Sequence, residues 1–157
     1  PEDALATVAD QLTGLIGATA DADIAAALTS ARDEVIGNHD GTPPTNGAVD
    51  QLDADDPVSA ITKIAAAHED ITAAETLGAG DLSAMEDLLG LVAEGIATEV
   101  EQQARAAIPS PSRGQDKTFA TIDDLIEQGH QQLVGHLHAD ACDDFRRATS
   151  KALGLLK

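Results

Sequence analysis

Apolar residues recur three and four positions apart along nearly the whole chain, and no stretch alternates apolar β-branched residues with polar ones. That period belongs to amphipathic helices packed on one another. Leu5, Val8, Leu12, Leu15 and Ile16 form a first stripe, closed near Gly17. A second carries Ile24, Leu28, Ala31, Val35 and Ile36, with Asp21 or Asp23 as cap and Gly37 as stop. Residues 38–47, NHDGTPPTNG, read as loop by their turn chemistry, and the acidic stretch 50–56 follows as linker. Asp56-Pro57 starts a third helix, through Val58, Ile61, Ile64, Ala65, His68 and Ile71 to Leu77, where Gly78-Ala79-Gly80 breaks it. Asp81 caps a fourth, with Leu82, Met85, Leu88, Leu89, Val92, Ile96 and Val100 on one face, ending before Pro109. After a loop at 109–118, Thr121 and Asp124 have capping-box spacing, with Asp in place of the usual Glu or Gln. They predict a fifth helix from Ile122 to about Leu155, with Gly129 and Gly135 as points where it could bend. The expected fold is all-α: a single domain, residues 1–157, built as a bundle of four or five helices with a long C-terminal helix.

The stripes are filled almost entirely by Ala, Leu, Ile and Val. Trp and Tyr are absent, and Phe119 and Phe145 are the only aromatic residues. Small side chains let helices approach closely, but at roughly 25 cal/mol per Å² each buries little stabilising area. Long contact seams, a partner subunit or a favourable solvent must make up the difference.

The net charge of −19 argues against nucleic-acid binding, which needs clustered Lys and Arg. Nineteen Asp against nine Glu, with only four Lys, suits a protein adapted to high salt, where screening relieves self-repulsion. A high-GC coding bias, as in an actinobacterial or phage source, would give a similar excess of Ala and Asp. The single Cys142 excludes an internal disulfide. No segment reaches the apolar length of a membrane span. A cytoplasmic or virion location is expected, although secretion with a cleaved signal would leave the same sequence.

The stretch GHQQLVGHLHADACDDF, residues 129–145, holds three of the five histidines and the only cysteine. On a continuous helix, His136 and His138 diverge by about 200°, and His130 lies about two turns from His138. Neither His136 nor His130 could then share an ion with His138. Two i, i+4 pairs remain, His138 with Cys142 and His136 with Asp140, each offering two ligands where a structural zinc takes four. Glu127-x-x-His130 has di-iron spacing but lacks a second copy in the chain. The expectation is therefore no metal and no cofactor, with His130 half-buried in the stripe, His136 solvated and Cys142 a small packing residue. The alternative is a metal-binding bundle using Glu127 and His130, or His138 and Cys142, completed by His68, Glu69, Glu75 or a second subunit. DQLDADD, residues 50–56, lacks the Gly and the closing Glu of a calcium loop.

Phosphate-loop, serine-hydrolase, zinc-protease and Cys-x-x-Cys motifs are all missing. The expected function is accordingly non-enzymatic: a structural or adaptor protein acting through helix–helix contacts, with itself or with another protein. Residues 81–100 resemble the Ala-rich, acid-capped helices of many assembly adaptors, including those joining phage heads to tails. The C-terminal segment, with Arg146, Arg147, Leu153, Leu155 and Leu156, is the expected interface, because it carries leucines on two faces and four of the nine basic residues.

Overall fold

A computed structural model describes residues 1–157 as seven helices and no strand. They are α1 (Glu2–Ala18), α2 (Ala22–Ile36), α3 (Ala48–Asp53), α4 (Pro57–Thr76), α5 (Ser83–Ala107), α6 (Arg113–Val134) and α7 (His138–Leu155). None is long and apolar enough to cross a membrane. The all-helical expectation holds. The four- or five-helix count and the long C-terminal helix do not.

Side-chain caps open three of the seven helices. Asp21 accepts from the backbone N–H groups of Asp23 and Ile24; Asp56, one residue before Pro57 opens α4, accepts from the Ser59 N–H. Within the acidic stretch that reads as linker, Asp50 accepts from the Gly47 N–H at 2.8 Å and a short helix, α3, forms. The start of α6 lies nine residues before Ile122, at Arg113. Ser112 and Gln115 form a reciprocal capping box there, whereas Thr121 bonds the Lys117 carbonyl inside the helix.

The predicted long helix is divided at residues 135–137. The Leu137 N–H bonds the Gln132 carbonyl and the His136 N–H bonds that of Leu133, while His136 sits at φ +57°. This is a Schellman ending with His in the left-handed position. The ends of α3 and α4 share the pattern, with Asp55 and Gly78 in that position. His is more tolerant of left-handed backbone than most residues but still less so than Gly. The chain direction thus changes just where the titratable groups cluster. Val134 and Leu137, which a continuous helix would bury, are 67% and 53% exposed instead.

The main core joins α1, α2, α4 and α5 to the start of α7, through residues such as Leu5, Leu28, Ile61, Ile64, Leu89 and Phe145. A smaller cluster, around Phe119, Ile122, Ala148 and Ala152, closes the far end between α5, α6 and α7. Phe145 is fully buried, and its ring occupies the space beside Gly129, where a Cβ would come 2.5 Å from the ring edge. That contact seats α7 on α6. The N-terminus of α7 is thereby held against α4 and α5.

Candidate metal centre

Turning the chain at Gly78–Gly80 lays the first turn of α5 beside the second half of α4. The Thr72 hydroxyl donates to Glu86 Oε1 at 2.8 Å across this hairpin. One turn from Thr72, on the same face of α4, is His68. It is 2% exposed, and neither ring nitrogen makes a hydrogen bond. Burial, followed by the charge of His138, pushes its pKa down to about 3, so the ring is neutral at ordinary pH. Orphaned buried polar atoms are rare, and each costs roughly 1–3 kcal/mol.

The first residue of α7, His138, is buried opposite. Its ring stacks on His68 with centroids 5.0 Å apart and planes 12° from parallel. His138 Nε2 lies 2.9 Å from Asp87 Oδ1, and its Nδ1 faces Glu86 Oε2 at 3.7 Å. The second distance is too long for a hydrogen bond. Two donors on one tetrahedral ion, with bonds of about 2.0–2.2 Å, lie roughly 3.4 Å apart. Ligand atoms of His68, Glu86 and His138 all fall within 4.8 Å of one another.

Of the three donors, Glu86 and His138 each have an orienting partner. Thr72 occupies one oxygen of Glu86 and leaves the other toward His138. Asp87 holds His138 through Nε2, which leaves the Nδ1 lone pair for an ion in the matching tautomer; carboxylate–histidine–metal triads are built this way. The hydrogen bond with His138 holds the Asp87 carboxyl below the usual carboxylate range, with the charge of His136 adding to it. His136 approaches the same Asp87 oxygen at 3.4 Å, so Asp87, His136 and His138 form a second, more exposed trio.

The break between α6 and α7 overturns several expectations. His136 and His138 do not diverge: their rings lie 5.9 Å apart, edge to face. The proposed pairing of His136 with Asp140 on one helix fails because α7 begins after His136. His130 is not half-buried; it is exposed and pairs with Glu94 at 3.0 Å. Glu127 is also exposed and accepts from the Gln131 amide. Cys142 is buried in the core, its thiol pushed up to about 12 by burial, and it belongs to neither trio. Of the residues named for the alternative metal site, His68 and His138 enter a cluster, and Glu127, His130 and Cys142 do not. Glu75 accepts from the Leu82 N–H, and Glu69 lines the adjoining cleft.

Glu86 and Asp87 escaped the sequence reading. The available signal was the hairpin itself, which sets Thr72 and Glu86 equidistant from the turn centred on Ala79.

At the C-terminus, Leu153 and Leu155 are half-buried and pack against the small cluster of their own chain, leaving Leu156 exposed. Arg146 and Arg147 pair with Asp143 and Asp144 one turn back.

Two imidazoles and a carboxylate suit zinc or another first-row divalent ion. The trio lacks the all-oxygen shell of calcium or magnesium. Comparison with family models, with curated proteins and with solved structures finds no match to this chain.

Proposed function

We propose that this protein is a metal-binding helical bundle that holds one zinc-like divalent ion between α4, α5 and α7. The ligands are His68, Glu86 and His138, with Asp87 and Thr72 as positioning residues. One observation carries the reading: His68 is buried with both nitrogens unbonded, next to two further buried donors. The stacked rings have nearly parallel planes, so their in-plane lone pairs cannot converge on one ion as they stand. Binding turns one ring, draws the donors together by about 1 Å, and ties α7 to the α4–α5 hairpin.

Untagged, chelator-treated protein titrated with zinc in a calorimeter should bind one ion per chain. Binding should be lost in His68→Ala and Glu86→Gln and kept in His130→Ala and Cys142→Ser. Stoichiometric binding that survives His68→Ala, or no binding by the native protein, would sink the proposal.

A second reading, an adaptor or structural subunit adapted to high salt, is supported by the exposed side chains of Leu91, Val134 and Leu137 around the α6–α7 junction. Leu156 adds a smaller apolar contact at the C-terminus, where the interface was expected. Sedimentation in dilute buffer and in molar salt should reveal self-association that Leu91→Gln with Val134→Gln weakens. A monomer under every condition would contradict self-assembly.

A further inference from the structure

The three grouped donors leave a metal ion one short of tetrahedral. Structural zinc sites are closed by four protein ligands, whereas reactive ones keep a position for an outside donor. Of the other nearby groups three are committed elsewhere, while Glu69, His136 and Asp140 line the adjoining cleft without joining His68, Glu86 and His138. Asp87 is bound to His138 Nε2. Glu75 holds the Leu82 backbone N–H. Cys142 carries a buried thiol outside the trio.

His68, Glu86 and His138 also form part of the wall of a cleft of about 560 Å³ between α4 and the start of α7, in the size range of small-molecule sites. Glu69, Thr72, Glu75 and Asp140 complete much of its lining, and no Lys or Arg is among its residues. An ion on the trio is therefore reachable from a space that is roomy, polar and negatively charged.

We infer that the ion held by His68, Glu86 and His138 keeps a coordination position open to this cleft and takes there a small oxygen or nitrogen donor that is neutral or singly charged. The inference rests on the metal-binding reading. Multiply charged anions are disfavoured by Glu69, Glu75 and Asp140. In the absence of such a donor the position holds water, which a Lewis-acidic ion makes more acidic.

Cobalt(II) is the probe, because its visible ligand-field bands report coordination. Native full-length protein with one equivalent of cobalt should develop these bands. Acetohydroxamate or azide should then shift them saturably, while inorganic phosphate at the same concentration should leave them in place. The double variant Glu69→Gln, Asp140→Asn, which replaces none of the three ligands, should bind azide about two- to five-fold more tightly, as expected for removal of exposed like charges. Cobalt bands that ignore saturating acetohydroxamate and azide would overturn the open position while leaving metal binding intact. Bands that respond equally to phosphate would overturn the charge selection. Failure to bind cobalt, zinc or nickel at all would remove both the metal-binding reading and this inference.

Discussion

Replacing His68 with leucine should stabilise the metal-free protein by about 1–3 kcal/mol while abolishing its zinc binding. Leucine is close enough in volume to fill the site, and it removes two buried nitrogens that make no hydrogen bond. The effect should also depend on pH. In the folded protein the His68 pKa is pushed down to about 3 by burial, whereas in the unfolded chain it returns to about 6.5. The unfolded state therefore takes up a proton that the folded state refuses. Above pH 6.5 this costs nothing. The penalty grows as the pH falls from 6.5 toward 3, with a ceiling of roughly 5 kcal/mol. Urea unfolding with chelator present, at pH 7.5 and pH 5, should show the leucine variant gaining on the native protein as the pH drops. A variant that is less stable at both values would mean that His68 is a well-satisfied core residue. A site that weakens the empty fold and strengthens the loaded one marks a group kept for binding.

The largest loss of stability should come from Phe145. It is the only fully buried aromatic side chain in a core otherwise built from small and aliphatic groups, and it seats α7 against Gly129 of α6. Phe145→Ala should cost about 3–5 kcal/mol, because little around it can collapse into the space. Gly129→Ala forces a Cβ to within 3 Å of three ring atoms and should cost about 1–3 kcal/mol, less up to about 1 kcal/mol regained in helix propensity. Combined with Phe145→Leu, which clears the ring, the Gly129→Ala penalty should largely disappear. Strict additivity in that double-mutant cycle would contradict direct packing of the two residues. Zinc affinity should fall along with stability in the alanine variant, since Phe145 holds the helix that presents His138.

Periodicity and caps made the helices legible where an apolar stripe met a clear stop. That is why α1, α2, α4 and α5 stand close to where their patterns place them. The first turns of α6 carry Arg113, Gln115, Asp116 and Lys117 and so lack a stripe. The Ser112–Gln115 box is the signal for their start, and it follows directly on prolines that carry loop chemistry. The break after α6 was harder to see. Gly135 lies one residue before the left-handed position, and the residue in that position is His136, whose type does not announce a helix end.

The placement of His136 and His138 turns on that break. With a continuous helix the histidines point apart, and with a Schellman ending His136 and His138 both reach Asp87. Glu86 and Asp87 were invisible for a different reason. Their role depends on which residues face each other across the α4–α5 hairpin, and helix periodicity alone does not carry that information.

The most direct test of metal binding at this site is a zinc titration of the untagged protein followed by NMR of the five histidine ring nitrogens. By one equivalent of zinc, one ring nitrogen each of His68 and His138 should move to the shift of a metal-bound imidazole, while those of His39 and His130 stay in place. If His68 is unmoved at saturation, or if only His130 or the exposed His136 responds, the buried trio is not a metal site.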